Sequence, residues 1–283
     1  MSNSSKDFDP PFRQNVDSGR AEQGRVNHDS LSLIRHKYIV TSNKRGVGKT
    51  SLAANIAVAL SKRKVKVGLI GLDLHGTNVC RMLGLQGIYE TDVNKQLVPE
   101  SYSDYLKVIS IESIMKDVDQ AVDLRGDLKT HVIDQFIADV NWGALDYLII
   151  DSISGTGDEP LAVAHAIHDA KVIFVSDPEK EYLPHVRDHV RALMNLYENA
   201  QNSILGFVEN MSGFFCKKCD KTGERTFREA IIMNVRYLGR IPIDPYMPDC
   251  LAAGQSYLEK YPNSEAAHGY ELIVDKIIER RKR

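Results

Sequence analysis

The segment 44–50 constrains the fold most strongly, because it forms a glycine-rich turn between a predicted strand and a predicted helix. Its sequence is Lys-Arg-Gly-Val-Gly-Lys-Thr. Residues 38–42 before it are a short β-branched and aromatic run, which is typical of a buried strand. Residues 51–60 after it repeat apolar side chains at helical spacing. Strand, glycine turn and helix in this order form the context that a phosphate-binding loop requires.

The chemistry of this turn suits a nucleoside triphosphate. Glycines let the backbone approach phosphate oxygens, and the N–H groups at the helix start, together with the helix dipole, favour an anion. Lys49 is expected to reach the β- and γ-phosphates, and the Thr50 hydroxyl to hold Mg²⁺. A basic turn that binds nothing is the alternative. The predicted nucleotide-binding residues in the loop are Gly46, Val47, Gly48, Lys49, Thr50 and Ser51.

Composition limits the remaining possibilities. The chain has 283 residues, and its 36 Lys and Arg nearly balance 38 Asp and Glu, so we expect no general affinity for nucleic acid. No apolar run approaches the roughly 18 residues that span a bilayer, and we expect no membrane insertion. Four cysteines do not make a disulfide framework in a chain of this size. We therefore expect a soluble cytoplasmic protein.

The chain is organised as a short polar tail followed by alternating strands and helices. Residues 1–30 are predominantly polar and are predicted to be a flexible tail. From about residue 31 onward, nearly continuous apolar strands alternate with helical segments. This pattern predicts the α/β class, with a mostly parallel sheet flanked by helices on both faces. We predict one P-loop ATPase domain over 31–283, with a cysteine-containing segment near 210–228.

Two aspartates follow predicted strands, at the edge where parallel sheets gather their ligands. Asp151 ends the apolar strand 147–150, which is the Walker B position, where a carboxylate supports Mg²⁺. Asp73 follows the strand 65–70 and could orient the attacking water or accept its proton. A capping role for Asp151 and a solvated turn position for Asp73 are the alternatives.

A second chemical element is the pair Cys216 and Cys219, spaced as Cys-x-x-Cys with two lysines between. Two thiolates at this spacing can face one soft metal centre, but zinc or an iron–sulfur cluster normally takes four ligands. The other two would then come from a second copy of the chain. A redox disulfide, favoured by the lysines, and no role at all are the alternatives. Cys80 and Cys250 are predicted to be ordinary packing cysteines.

Taken together, several segments resemble the Mrp/ApbC family of P-loop ATPases, which carry and transfer iron–sulfur clusters. The loop at 44–50 resembles that family's deviant Walker A sequence KGGVGK[ST], and residues 81–84 resemble its RMLG segment. Residues 146–160 resemble DYLVID…GTGDEP, and residues 209–219 resemble ENMSxFxCPxC. The Cys-x-x-Cys after Glu-Asn-Met is the specific part, because relatives that position DNA or septa usually lack it.

The resemblance implies a homodimer with ATP at its interface and apo iron–sulfur proteins as recipients of the cluster. Lys44, the extra lysine of the family, would reach into the partner's phosphate site. Asn210 and the backbone near Pro242 would contact adenine. Cys216 and Cys219 from both subunits would bridge one [4Fe-4S] cluster. ATP hydrolysis, through Lys44, Lys49, Asp73 and Asp151, would gate the transfer of that cluster.

The chain departs from the family pattern near the phosphates. Asn43 and Arg45 replace glycines, Gly71 replaces the first carboxylate of Asp-x-Asp, and Ile153 and Ser154 replace two prolines. Binding of ATP is therefore better supported than rapid hydrolysis. One alternative is a regulatory nucleotide-binding protein with little turnover. Another is a MinD/ParA-like positioning ATPase, because residues 272–283 combine an apolar helical face with a basic end.

Overall fold

The computed structural model describes residues 29–73, 79–87, 90–115, 126–177, 184–216, 221–224 and 235–279. The strands are β1 Ile34–Thr41, β2 Val67–Gly71, β3 Glu90–Thr91, β4 Leu97–Val98, β5 Glu100–Ser103, β6 Leu106–Ser110, β7 Leu145–Asp151, β8 Lys171–Ser176, β9 Ser203–Cys216, β10 Lys221–Glu224 and β11 Tyr237–Ile243. The helices are α1 Asp29–Ser32, α2 Lys49–Ser61, α3 Val79–Met82, α4 Ile111–Met115, α5 Gly126–Asp139, α6 Asp158–Ala166, α7 Pro184–Asn199, α8 Tyr246–Ala252, α9 Tyr257–Lys260 and α10 Glu265–Glu279.

One nine-stranded sheet organises these elements. Its order is β10-β9-β8-β1-β7-β2-β6-β5, and β11 also pairs with β9. The pairings of β1, β2, β6, β7, β8, β9 and β11 are parallel, whereas β5 and β10 are antiparallel to their neighbours. The carboxyl ends of β1, β2 and β7 therefore lie side by side, which is where ligands bind in open parallel sheets. The predicted α/β class with a mostly parallel sheet is confirmed.

Helices cover both faces of the sheet because its strands are apolar on both sides. Along β1, Tyr38 and Val40 pack into the cluster beneath α2 and α10, and Ile39 packs into the opposite cluster with α5, α6 and α7. The side chains of a strand alternate between faces, so consecutive apolar residues supply two cores at once. This continuous burial fixes the position of the strand that leads into the glycine turn.

Helix α2 is buried along nearly its whole length. Every residue from Leu52 to Ser61 is buried, and four of them are alanines, which let the helix approach the sheet closely. It also packs against α10. The N-terminus of α2 is therefore held rigidly over the carboxyl ends of the strands, with its dipole and free N–H groups directed to that edge.

Strand β9 is longer than its sequence pattern indicates. The apolar run predicts a strand at 203–208, but the strand continues to Cys216. The polar residues 209, 210 and 212 hide this continuation, because they do not resemble a buried strand although all three are buried. Cys216 is therefore the last residue of a strand, and Cys219 lies outside the described residues.

The C-terminal apolar residues pack inside the molecule. Ile273, Val274 and Ile277 on α10 are buried in the same cluster as α2. The apolar face that would have contacted a membrane is thus occupied by the core, while the basic residues 280–283 lie outside the described part. Residues 1–28 of the predicted tail also lie outside it, and α1 begins at Asp29. No helix within the described ranges is long and apolar enough to cross a membrane.

Packing at the amino end of β2 gives a stability prediction. A Cβ at Gly68 would lie 2.7 Å from both Leu145 Cδ1 and Trp142 Cζ3, which is too close for ordinary contact. Gly68→Ala should lower the free energy of unfolding by about 1–3 kcal/mol, because this packed site has no room for a methyl group. Urea denaturation measures the change. The fully exposed Val93 supplies the control, since Val93→Ala should change stability by less than about 0.5 kcal/mol. Equal unfolding midpoints for the two variants would contradict this packing.

Candidate nucleotide site

Two glycines in the turn between β1 and α2 have backbone conformations that other residues adopt only with strain. Gly46 and Gly48 have φ angles of 82° and 83°, in the left-handed region. Gly48 is also the N-cap of α2, and its carbonyl accepts the first helical hydrogen bond from the Leu52 N–H at 2.9 Å. A side chain at either position would be strained. The turn therefore presents its N–H groups at the positive end of α2, as phosphate binding requires.

Asn43 and Arg45, which stand where the family has glycine, do not disturb the backbone of this turn. The described non-glycine residues with positive φ are Lys64, Lys95, Gln201 and Met211, and neither Asn43 nor Arg45 is among them. The Arg45 side chain is exposed. Glycine is therefore not required at 43 or 45 for backbone reasons, and Arg45 adds a cation at the rim of the turn without straining it.

Lys49 brings the predicted catalytic groups together. Its ammonium lies 2.7 Å from Asp151 Oδ1 and 3.6 Å from Asp73 Oδ2. The three side chains are only 5%, 1% and 8% exposed, respectively. One buried cation thus faces two buried carboxylates supplied by the ends of β7 and β2. A triphosphate could replace the carboxylates as the anionic partner of Lys49.

The protonation state of Asp151 depends on the groups around it. Burial raises the pKa of Asp151 above its ordinary value, and the charge of Asp73 raises it further. The charge and hydrogen bond of Lys49 and a hydrogen bond from the Thr50 hydroxyl act against this rise. Mg²⁺ prefers hard oxygen ligands, so Thr50 and Asp151 fit it by their chemistry. Among the described residues no group of three His, Cys, Asp or Glu could hold a metal.

Lys44 is paired within its own chain. Its ammonium donates to Asp177 Oδ1 at 2.8 Å, just beyond the end of β8. The neighbouring backbone is also secured, because the Ser42 hydroxyl donates to the Lys44 carbonyl at 2.8 Å and lies 3.0 Å from the Ser154 hydroxyl. The Gly155 N–H donates to the Ser42 carbonyl at 3.0 Å. Ser154, which stands in place of a proline of the family, thus helps join the loop after β7 to the nucleotide loop.

Gly71 has no room for the carboxylate that the family carries at this position. A Cβ there would lie 2.9 Å from Val79 Cγ2 and 3.2 Å from Ser110 Oγ. The side chains of α3 and β6 therefore fill the space beside the end of β2. Asp73, two residues later, is the carboxylate that β2 contributes to Lys49.

Asn210 contacts the nucleotide loop itself. Its side-chain nitrogen donates to the Val47 carbonyl at 2.8 Å, and a Cβ on Gly48 would overlap that nitrogen. The resemblance predicts an adenine contact for Asn210, and the structure adds a contact with the loop backbone. Pro242 is half-buried near the end of β11, which pairs with β9 through Ile241 and Asn210.

Sequence reasoning missed three residues of this site. Asp177 follows the apolar strand β8, as Asp151 ends β7, so the same strand-end rule could have found it. Ser42 and Ser154 gave no signal, because a serine beside a glycine turn is common in any loop.

A glycine turn between a buried strand and a helix, with a helical lysine and hydroxyl facing strand-end carboxylates, defines a P-loop NTPase. The family model described as "ParA: NUBPL iron-transfer P-loop NTPase" matches residues 33–278. The chain belongs to this family, and the resemblance found in the sequence is confirmed.

Curated relatives cover most of the chain. A protein named cytosolic Fe-S cluster assembly factor NUBP1 homolog, from Brugia malayi, is 36% identical over 88% of this chain and 83% of its own length. An iron-sulfur cluster carrier protein from Saccharolobus solfataricus is also 36% identical, over 88% of this chain and 84% of its own.

Solved structures share the fold. A nucleotide-binding protein from Archaeoglobus fulgidus, in complex with ADP and with cobalt found in it, has 28% identity and a TM-score of 0.71 over 86% of this chain and 96% of its own. The septum site-determining protein MinD from Pyrococcus horikoshii, complexed with Mg-ADP, has 21% identity and a TM-score of 0.63 over 88% and 97% of the two chains. The second likeness supports the P-loop NTPase fold alone.

The buried charges predict a pH-dependent loss of stability in Lys49→Met. Two buried carboxylates would lose their cation, which typically costs about 3–5 kcal/mol. Without Lys49 the pKa of Asp151 rises further above its unfolded value of 3.8. The native state then holds this proton more tightly than the unfolded chain, so stability falls as pH rises through the native pKa. Urea denaturation should therefore show a larger loss at pH 8 than at pH 5.

Lys44→Met is the matched control, because it removes the other loop lysine from a less buried pair. It should cost at most about 1 kcal/mol, with little change between the two pH values. Equal losses in the two variants would show that the Lys49 cluster is not the main electrostatic constraint of the loop.

Proposed function

We propose that the protein is an ATP-binding iron–sulfur cluster carrier that works as a homodimer and holds a [4Fe-4S] cluster as its cargo. The observation that carries the proposal is the course of β9. This strand contacts the nucleotide loop through Asn210 and ends six residues later at Cys216. One strand thus connects a nucleotide site with a thiolate ligand. The names of the relatives from Brugia malayi and Saccharolobus solfataricus support the same assignment.

The number of cysteines argues for a second copy of the chain. Cys216 and Cys219 supply two of the four thiolates that a [4Fe-4S] cluster takes. Cys80 and Cys250 are buried in the core cluster that contains α2, so they are not placed to complete the set. Two chains that pool their Cys-x-x-Cys pairs would supply four ligands.

Exposed apolar side chains on β9, at the end of β11 and at the start of α8 fit such a dimer, and one of them lies next to the nucleotide loop. Met211, Ile243 and Tyr246 are among the exposed large hydrophobic residues of the described chain. Met211 reaches toward Gly48, and Ile243 pairs with Phe214 of β9. We propose that these three residues, the dimer patch, contact the second copy. Lys44 would then exchange Asp177 for the partner's phosphates.

In the proposed ATPase reaction, each buried group has one task. Lys49 binds the β- and γ-phosphates and offsets the charge that develops in the transition state. Thr50 and Asp151 are the residues that would hold Mg²⁺, which neutralises phosphate charge when it is bound. Asp73 orients the attacking water. Hydrolysis would be slow, because Gly71 removes one carboxylate from this set.

The structure weakens the grounds for both alternatives. The apolar face of α10 that favoured a positioning ATPase is packed in the core. The regulatory hypothesis depended partly on strain at Arg45, and Arg45 has no left-handed backbone. We further propose a cytosolic location, as in the name of the Brugia malayi relative, apo iron–sulfur proteins as recipients, and a single domain over 31–283.

The cargo can be tested by anaerobic reconstitution. The wild-type protein should bind close to four iron and four sulfide per dimer, with broad thiolate–iron absorbance near about 400 nm. Cys216→Ala should abolish both signals, because each subunit would then offer a single thiolate of the pair. Cys250→Ala is the matched control, since this thiol is buried in the core, and it should keep the cluster. A colourless wild-type protein, or a cluster that survives Cys216→Ala, would refute the cargo assignment.

The dimer patch can be tested by its charge tolerance. Ile243 is 50% exposed in the patch, and Leu272, which is 61% exposed on α10, is not one of the three patch residues. Ile243→Glu should weaken ATP-dependent dimerisation at least about tenfold, because it places a charge in an apolar contact. Leu272→Glu should leave dimerisation unchanged. Sedimentation equilibrium with Mg-ATP measures both, and equal behaviour of the two variants would exclude the patch as the interface.

A further inference from the structure

Strand β9 extends past the end of its neighbour β8 beside the nucleotide loop. It pairs with β8 from Ser203 as far as Glu209, opposite Ser176, the last residue of β8. It also pairs with β11 from Phe207 to Phe214, and its last residues pair with β10, whose Lys221 lies opposite Cys216. Residues 210–213 therefore connect the part of β9 that pairs with β8 to the end that carries Cys216 and pairs with β10.

The first of these residues holds the nucleotide loop. The Asn210 side chain is buried and donates to the Val47 carbonyl at 2.8 Å. The Val47 carbonyl and the Gly48 N–H belong to one planar trans peptide, so they point in opposite directions. A bond that draws the carbonyl toward β9 therefore turns the Gly48 N–H away from β9. Asn210 thus fixes the orientation of an N–H group that is expected to bind phosphate.

The next residues form a bulge that changes the direction of the strand. Asn210 lies opposite Ile241 of β11, and the next pair is Phe214 with Ile243, so four steps on β9 match two on β11. Met211 has φ 58° and Gly213 has φ 101°, both in the left-handed region. A bulge bends its strand and sets the direction of the residues beyond it. The direction of the segment ending at Cys216 therefore depends on the backbone directly beside Asn210.

We propose that Asn210 is a positioning residue that couples the nucleotide loop to the cysteine-bearing end of β9. When phosphate binds the Gly48 N–H, the peptide plane shifts, and the Asn210 bond transmits that shift to the bulge and to the Cys216 segment. Reciprocally, a ligand on the cysteines changes the affinity of the loop for ATP. The inference deepens the proposed carrier function, since it supplies the link between ATP and cargo.

Hydrogen exchange tests the link without any metal. In the wild-type protein, saturating Mg-ATP should change the exchange rates of the amides at 213–216 and 221–224 at least about fivefold, the low end of usual coupling strengths. In Asn210→Ala, measured at its own saturating ATP concentration, these amides should no longer respond. Tyr237→Phe is the matched control, because it removes a hydrogen bond of 3.0 Å to Glu209 on the same strand, outside both the bulge and the loop. It should keep the response.

A second variant covers the case in which Asn210→Ala loses ATP or fails to fold. Met211→Gly keeps Asn210 and tolerates the positive φ, but it makes the bulge flexible. Because Met211 also belongs to the dimer patch, this variant is measured at its own saturating ATP concentration and at a protein concentration where it is dimeric. Under those conditions the response at 213–216 should shrink. A full response in Asn210→Ala or in Met211→Gly, or no response in the wild type, would overturn the proposal.

A metal readout separates this inference from the carrier function. The affinity for Zn²⁺ under reducing conditions should differ at least about fivefold with and without ATP in the wild type, and the ratio should approach one in Asn210→Ala. An unchanged ratio in that variant would overturn the link to the cysteines. If the wild type shows the exchange response but binds neither Zn²⁺ nor a cluster, the carrier function fails while the mechanical link stands.

Discussion

The buried contact of Lys49 with Asp151 and Asp73 is the interaction on which the rest of the site depends. None of these charges could be buried alone without a large cost, so each one makes the burial of the others possible. They come from the start of α2 and from the ends of β7 and β2. The ion pairs therefore hold α2, β7 and β2 in fixed relative positions at the edge of the sheet where the nucleotide is expected. In the proposed ATP-bound state, phosphates would replace the carboxylates as partners of the lysine, and Mg²⁺ would replace the lysine as partner of the carboxylates.

This exchange of partners on ATP binding would shift the nucleotide loop. Lys49 lies two residues after Val47, whose carbonyl accepts the Asn210 hydrogen bond. In the proposed ATP-bound state Lys49 would change from carboxylates to phosphate, and β9 contacts the loop at this neighbouring carbonyl. The Lys44–Asp177 pair lies on the other side of the same turn. The loop is thus tied to β8 and β9 as well as to its own strand, so a local change of charge can reach both the proposed dimer patch and the cysteine segment.

Much of this arrangement follows from local rules in the sequence. The apolar strands predict the sheet, and the strand-end rule predicts Asp73 and Asp151 and could have given Asp177. The contact of Asn210 with Val47 spans 163 positions, so no local pattern contains it. The bulge at 211–213 is equally hidden, because methionine rarely adopts a positive φ and the polar residues around it do not resemble a strand. Local sequence patterns predict the strands and helices, whereas the contacts between those elements depend on how they pack in three dimensions.

The departures from the family pattern can also be explained by backbone conformation and packing. Glycine is kept at 46 and 48, where φ is positive, and is replaced at 43 and 45, where it is not. Gly71 stands where Val79 and Ser110 leave no space for a side chain. Ser154 replaces a proline and adds a hydroxyl contact with Ser42. The chain thus varies at positions where its own geometry does not require the family's residue, and it keeps Lys49, Thr50, Asp73 and Asp151, whose charges and hydrogen bonds depend on one another. In the carrier function proposed above, slow hydrolysis would lengthen the ATP-bound state, which gives a carrier more time to hold its cargo before it meets a recipient.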